Sequence, residues 1–474
     1  MGDVISTGIT GLDTILNGGV PKSSITLLQG HAGSGKTTLG LQFLLEGAKK
    51  GERSLLISVA QTKTELEHIA ASHGFDLGAL DLEFVDIGHD GAPDQYAVNT
   101  QEEDLDDLLS QVHSIVERVK PERLVFDSLL EMRLLARSDY DHRRDVLALK
   151  RSLVKLGTTA IILDHVGEGL DRRIEGVAHG VIILDSYTPH IGTTYRRLMI
   201  RKFRGHRFIE GWHDFDIQPG GLDVFARLLP QRLPPQKVGK QLKTRVESLD
   251  AMLGGGLERA TTTLIAGQSG TGKSTLATVF ASAAAKQGMK AGLFLLEERP
   301  EVYRDRSEGV GIDVVEPERE GTLFLEHFDP SEVSVGHFSQ TILNLVEEED
   351  LDVVVIDSLS GFVSVLPERH NLIPQIQSLL QQLARQNLVV ILTMSQHGLL
   401  GETPRTEVDV SFLADSIILL RHSPEGSEIR RTLAVVKKRH SDHDRRIKNF
   451  VIAPGKVDVE DIEEGTKRQI ESQS

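Results

Sequence analysis

The octapeptide Gly30-His31-Ala32-Gly33-Ser34-Gly35-Lys36-Thr37 returns, in its pattern of glycines closed by Lys-Ser/Thr, as Gly267-Gln268-Ser269-Gly270-Thr271-Gly272-Lys273-Ser274. Such a loop has chemical meaning only between a strand and a helix. Both copies have that setting: apolar runs at 25–28 and 262–266 precede them, and Leu39, Leu41, Phe43 and Leu44, or Leu276, Val279 and Phe280, follow at helical spacing. The backbone N–H groups of Gly30, Gly33, Ser34 and Gly35, and of Gly267, Ser269, Gly270, Thr271 and Gly272, can then turn inward around a polyphosphate, and the helix N-terminus adds a favourable dipole. Lys36 and Lys273 reach the outer phosphates, Thr37 and Ser274 ligate Mg²⁺, and Thr38 and Thr275 extend the contact. Two glycine-rich turns with solvated lysines would be the plainer account, but a second copy in the same setting weighs against accident.

A chain of 474 residues exceeds one ordinary core, and the repeat sets the domain count at two. Apolar residues make up 39% and charged residues 26%, and no apolar run approaches the ~20 residues needed to span a bilayer. The start, Met1-Gly2-Asp3-Val4, shows no basic segment followed by an apolar one, and cysteine is absent, so a cytoplasmic protein without disulfides or thiolate chemistry is expected. A net charge of −16 argues against a surface that neutralises nucleic-acid phosphates. The eighteen histidines form no metal-binding spacing. Leu105, Leu108, Leu109, Val112, Ile115, Val116 and Val119 mark the buried stripe of an amphipathic helix.

The halves share one order of parts. Each opens on a short element, Thr7-Gly8-Ile9 to Gly18-Gly19 or Thr244-Arg245-Val246 to Gly254-Gly255-Gly256, and then enters its glycine-rich loop. Apolar runs follow at 54–59 and 291–296, at Leu124-Val125-Phe126-Asp127 and Val353-Val354-Val355-Ile356-Asp357, at 160–163 and 389–392, and at 181–184 and 417–420. Such runs, alternating with helices, predict an α/β fold in which each domain is a mostly parallel, doubly wound sheet covered on both faces. Domains are expected at 1–228 and 241–456, joined by a proline-rich linker at 229–240 and followed by a loosely ordered charged tail at 457–474.

Hydrolysis or phosphoryl transfer also needs a strand-end carboxylate for the metal and a group that positions or deprotonates the nucleophile. Asp127 and Asp357 end apolar strands where a doubly wound sheet opens its ligand crevice, and fit the first role. Capping of the segments that begin at Ser128 and Ser358 is the structural alternative. The second role separates the halves: Glu297-Glu298 follows the strand at 291–296, whereas Ala60-Gln61 stands at the equivalent place in the first half. A carboxylate can accept a proton; alanine cannot, and a glutamine amide is no useful base.

On these residues, and on Lys202-Phe203-Arg204 and Lys437-Lys438-Arg439-His440-Ser441-Asp442-His443 late in each half, the chain resembles the KaiC family of RecA-like ATPases over nearly its whole length. The resemblance implies tandem RecA-like P-loop NTPase domains in a double-ring homo-hexamer, with ATP and Mg²⁺ at subunit interfaces. It implies that Lys202, Arg204, Lys437, Arg439, Ser441 and His443 reach a neighbour's nucleotide, and that Glu297, Glu298, Lys273, Lys437 and Arg439 serve catalysis. In the family's clock protein the first domain is the steady ATPase and the second an autokinase; Ala60-Gln61 departs from that pattern in the first domain. In the stretch 406–415, Ser411 matches a phosphoacceptor serine, Phe412 replaces the neighbouring threonine and Thr406 matches a regulatory one. The plainer account of Ser411 is a polar residue opening a strand from Phe412. The expectation is an ATP-dependent regulator whose second domain hydrolyses ATP and autophosphorylates, whose first domain binds nucleotide for assembly, and which meets a signalling or clock partner. A DNA-dependent motor of the same fold and a non-catalytic ATP-sensing scaffold are the alternatives.

Overall fold

The computed structural model describes residues 3–59, 61–78, 82–87, 105–136, 138–165, 172–188, 193–229, 241–365, 369–396, 411–425 and 428–462. The chain divides into two compact units, the first ending at Arg227 and the second beginning at Leu228. Most of the expected linker, residues 230–240, and the residues beyond 462 lie outside the described segments.

Among the described residues each unit is built on a nine-stranded sheet. In the first, Ile25–Gly30 sits between Thr159–His165 and Gly180–Tyr187, and the parallel run continues outward through Arg123–Asp127, Ser54–Ser58 and Leu82–Asp86. In the second, Thr261–Gly267 sits between Val389–Ser395 and Ser416–Glu425, followed by Val353–Asp357, Ala291–Leu295 and Leu323–His327. Strands flanked on both sides and covered on both faces need apolar residues at successive positions, and Ile25–Gly30 and Thr261–Gly267 are buried throughout. The helices Lys36–Lys49 and Lys273–Ala285 cross these sheets, with Leu39, Leu41, Phe43 and Leu44, or Leu276, Ala277 and Phe280, in the cores. Of the expected stripe, helix Leu105–Val119 buries Leu108, Val112 and Val116 and partly buries Leu109, Ile115 and Val119. No helix among the described residues is long and apolar enough to cross a membrane.

Each sheet then continues antiparallel, through Tyr195–Phe203, Trp212–Gln218 and Gly221–Phe225 in the first unit. In the second it continues through Glu428–Lys438, Lys448–Ala453 and Lys456–Glu460. These strands bury Leu198 and Ile200, or Leu433 and Val435, at alternate positions and carry Arg and Lys towards their ends, a pattern far less conspicuous than the central apolar runs. Two expectations change here. The tail does not begin at 457: Lys456–Glu460 is a strand that pairs with Lys448–Ala453 and buries Val459, because its alternate residues are apolar. The strand expected from Phe412 begins at Ser416, and Ser411–Leu413 is a single 3₁₀ turn that leaves Phe412 exposed.

Candidate nucleotide sites

Both loops take the backbone form that glycine permits. Gly33 and Gly35 have φ of 73° and 94°, and their counterparts Gly270 and Gly272 have 76° and 97°, in the left-handed region that L-residues avoid. Gly35 and Gly272 are the residues at which the two helices begin, and neither helix has a side-chain cap there, so its first N–H groups face the loop. Lys36 Nζ donates to the carbonyls of Gly30 at 2.7 Å and His31 at 2.9 Å, and Lys273 Nζ to that of Gln268 at 2.9 Å. Burial lowers the pKa of both lysines, against the nearby charges of Asp127 and Asp164 for Lys36, and of Asp357 and Glu297 for Lys273.

Ser34 and Thr271 follow Gly33 and Gly270 in the two loops. Both side chains are buried, and Thr271 Oγ1 holds the Gln268 carbonyl at 2.8 Å. Thr38 Oγ1 lies 3.2 Å from His73 Nε2, and Thr275 Oγ1 accepts from Arg306 Nη1 at 3.3 Å, so these two hydroxyls brace the helix start. Ser269 is exposed at the loop tip.

Behind each lysine the strand-end aspartate meets the loop's last hydroxyl. Thr37 Oγ1 donates to Asp127 Oδ2 at 3.2 Å, and Ser274 hydrogen-bonds Asp357, which also accepts from Thr393 Oγ1. In both units the Asp–Ser peptide that follows is cis. Among the described residues there is no cluster of three or more His, Cys, Asp or Glu that could hold a metal ion. A hydroxyl beside one carboxylate fits Mg²⁺, which takes few protein oxygens and fills its octahedron with phosphate oxygens and water.

Burial raises Asp127 to about 6; Thr37 opposes this by its hydrogen bond, Glu131 adds to it, and Lys36 opposes it. Burial likewise raises Asp357, against hydrogen bonds from Thr393 and Ser274. A carboxyl raised in the folded state stabilises fully below its unfolded pKa, and that contribution is lost as pH rises through the folded value. Without Mg²⁺ or nucleotide, Asp127→Asn is therefore expected to stabilise the first unit by about 1–2 kcal/mol at pH 8, with the gain fading as pH falls from about 6 and largely gone by about pH 4. Thermal unfolding at the two pH values measures it; equal melting of variant and parent at pH 8 would contradict it.

The two adjacent glutamates part company. Glu297 is exposed and accepts from Ser358 Oγ at 2.6 Å, so it stands beside the residue that follows Asp357. Glu298 is clasped by Arg306 on the helix Pro300–Gly309, with Nε at 3.1 and 3.2 Å and Nη2 at 3.0 Å from its carboxylate oxygens. The Arg306 guanidinium also lies 4.8 Å from the centre of the Tyr303 ring. Burial alone would lower the Arg306 pKa, but the hydrogen bond and charge of Glu298 hold it raised. Arg306 was missed in the sequence, where an arginine eight residues past a glutamate carries no periodic signal. In the first unit Ala60 lies outside the described residues, and the Gln61 backbone folds back on Ser58, its N–H donating to Ser58 Oγ at 2.9 Å and its carbonyl accepting at 2.7 Å.

The late basic segments occupy equivalent places: Lys202 pairs in register with Val181 and Lys437 with Ile417, each beside a β-bulge. Lys202 Nζ donates to the Glu175 carbonyl and Arg204 Nη2 to that of Gly176 at 2.7 Å. Lys437 Nζ donates to the Ser411 and Ala414 carbonyls at 3.0 and 2.7 Å, and Arg439 pairs with Asp415 at 3.5 Å. A solvent-open groove of about 640 Å³ runs past Leu419, Arg421, Val436, Lys437, His443 and Arg445. Ser441 is directed elsewhere: its hydroxyl donates to Glu258 Oε1 at 2.7 Å and accepts from Lys438 Nζ at 2.7 Å, inside a buried cluster. The Thr406 position lies outside the described residues.

Residues 5–228 and 242–464 match the family model described as the KaiC ATPase. Over 94% of its length the chain is 29% identical to the circadian clock protein KaiC3 of Synechocystis sp., covering 90% of that protein. It is 30% identical over 96% of its length to the circadian clock oscillator protein KaiC of Picosynechococcus sp., covering 89% of it. The circadian clock protein KaiC2 of Synechocystis sp. is 28% identical over 96% of the chain and 80% of its own length. Two matched halves, each carrying a P-loop in front of a strand-end aspartate, place this chain in the KaiC ATPase family.

Proposed function

We propose that this protein is an ATP-dependent regulator in which the C-terminal domain hydrolyses ATP and transfers phosphate to Ser411, while nucleotide in the N-terminal domain holds a homo-hexameric double ring. The observation that carries this reading is Glu297: its carboxylate stands at a strand end, hydrogen-bonded at 2.6 Å to Ser358, which follows Asp357 in the chain. Lys273 and Ser274 lie in the same site, the first within range of the charges of Asp357 and Glu297 and the second bonded to Asp357. Glu297 accepts the proton of the attacking water or hydroxyl and Lys273 offsets charge on the transferring phosphoryl oxygens; Ser274 and Asp357 would hold Mg²⁺, which would supply further charge neutralisation. The groove past Lys437 and His443 faces solvent and suits a neighbour's nucleotide. The names of the relatives, all circadian clock proteins, support a regulatory role in timing.

One incubation tests the reading. With γ-labelled ATP and Mg²⁺, released phosphate and label on the protein are both expected, and Ser411→Ala is expected to remove the label while phosphate release continues. Release without label would limit the protein to ATP hydrolysis, and neither signal would leave an ATP-sensing scaffold.

A further inference from the structure

The N-terminal site lacks glutamates at the strand end, where Ala60 and Gln61 stand, yet a carboxylate bonds the equivalent serine. Ser128 follows Asp127 as Ser358 follows Asp357, and both serines are buried, at 7% and 3% exposure. Ser358 Oγ donates to Glu297 at 2.6 Å; Ser128 Oγ donates to Glu131 Oε2 at 2.5 Å. Glu131 comes from a different part of the chain, the helix Leu129–Leu135, and its charge acts on Asp127.

The second unit shows why the carboxylate has one source or the other. Counting four residues on from each strand-end aspartate, Glu131 corresponds to Gly361. A Cβ at Gly361 would lie 2.9 Å from Pro330 Cγ, 3.2 Å from Leu296 Cβ and 3.5 Å from the Leu296 carbonyl oxygen. Leu296 is the residue immediately before Glu297, so a side chain at this helix position leaves the backbone beside the strand end from which Glu297 springs. The second unit therefore has glutamate on the strand and glycine on the helix. The first unit has the reverse exchange, alanine at the matching strand position and glutamate on the helix. A Ser-x-x-Glu spacing also caps a helix, and Ser128 is the N-cap of Leu129–Leu135. Capping brings Glu131 to Ser128; the serine so held is the one that matches the serine Glu297 holds in the other domain.

We propose that Glu131 is the carboxylate of a second ATPase site, supplying in the N-terminal domain what Glu297 supplies in the C-terminal one. Water attacks the γ-phosphorus, and the bond from that phosphorus to the β,γ-bridging oxygen breaks with its electron pair leaving on ADP. The water proton passes to the Glu131 carboxylate and then to the released phosphate. The products are ADP and inorganic phosphate, and no co-reactant is needed. The inference rests on the role proposed for Glu297, and the test separates the two.

In the full-length chain, Glu297→Gln silences the C-terminal site. The variant is expected to retain slow phosphate release and, after removal of free nucleotide, to carry ADP as well as ATP. Adding Glu131→Gln, which keeps a hydrogen-bonding partner for Ser128, is expected to cut the remaining release by at least about tenfold and leave the bound nucleotide as ATP. Restoring a carboxylate with Ala60→Glu in that background is expected to bring release and bound ADP back. Unchanged release and ADP content on adding Glu131→Gln overturns the proposal, as does an absence of residual turnover in Glu297→Gln. Loss of bound nucleotide together with turnover assigns Glu131 to the fold and overturns it equally. If Glu297→Gln alone leaves turnover at the parent level, the reading of the C-terminal site fails, while the comparison of Glu131→Gln with its own parent still decides the N-terminal one.

Discussion

Glu297→Gln is expected to lower phosphate release from the C-terminal site by about 10²–10³-fold, with nucleotide binding nearly unchanged, because the amide keeps the shape and the Ser358 hydrogen bond but cannot take a proton. Glu298→Gln is expected to act differently although the residues are adjacent. Glu298 is the anion that Arg306 grips, and Arg306 also bonds Thr275 on the P-loop helix. Weakening that grip loosens the helix start that faces the phosphates, so the apparent affinity for ATP falls more than the rate at saturation. Steady-state kinetics with each single variant separate the two. Equal loss of kcat in both would mean that the acids share the proton transfer, and an unaltered kcat in Glu297→Gln would remove it from the chemistry.

The second large effect concerns folding rather than chemistry. The Lys438 side chain is fully buried; its Nζ donates to the carbonyls of Leu253 and Gly256 at 2.6 and 2.9 Å, to Glu258 at 2.6 Å and to Ser441 at 2.7 Å. Burial alone would raise the Glu258 carboxyl, but the hydrogen bonds of Lys438 and Ser441 hold it below its ordinary value. Lys438→Met leaves the buried Glu258 without its counter-ion and two carbonyls without their donor, and is expected to destabilise the C-terminal domain by about 3–5 kcal/mol. Lys438→Met with Glu258→Leu removes both charges and is expected to recover part of that loss. Denaturant unfolding of the single and double variants measures it. A single variant within about 0.5 kcal/mol of the parent would contradict the argument. The cluster ties the opening element at 253–258 to the last residue of the strand Glu428–Lys438, two segments about 180 positions apart in sequence.

Much of this was legible in the sequence. Two glycine patterns between apolar runs and helical spacing determine strand, loop and helix, and the apolar run that ends in Asp127 or Asp357 determines which strand end faces the loop. Those inferences work because a buried parallel strand must be apolar at successive positions. The antiparallel strands were less legible: Tyr195–Phe203 interleaves Arg196, Arg197, Arg201 and Lys202 with its buried residues, so its period is masked by charge. Direction was also hidden. Glu297 and Glu298 look equivalent as letters, but successive residues leaving a strand end point to different sides, and only one meets the serine. Glu131 reads in sequence as the third residue of a helix behind a serine cap, which is true and incomplete. Ser441, expected beside a nucleotide, is instead held by Glu258 and Lys438, an acid and a base that no local pattern brings together.

The lysines of the two P-loops, each bonded to carbonyls of its own loop, have a further consequence for exchange kinetics. An arriving triphosphate does not meet a bare cation; it must replace two bonds to Gly30 and His31 at one site and the bond to Gln268 at the other. The enthalpy of each new contact is offset by the one it displaces, so affinity draws more on charge neutralisation and metal bridging than on the number of hydrogen bonds. A loop that satisfies its own lysine also keeps its form between occupants. Exchange of one nucleotide for another is then expected to need no refolding of the loop at either site.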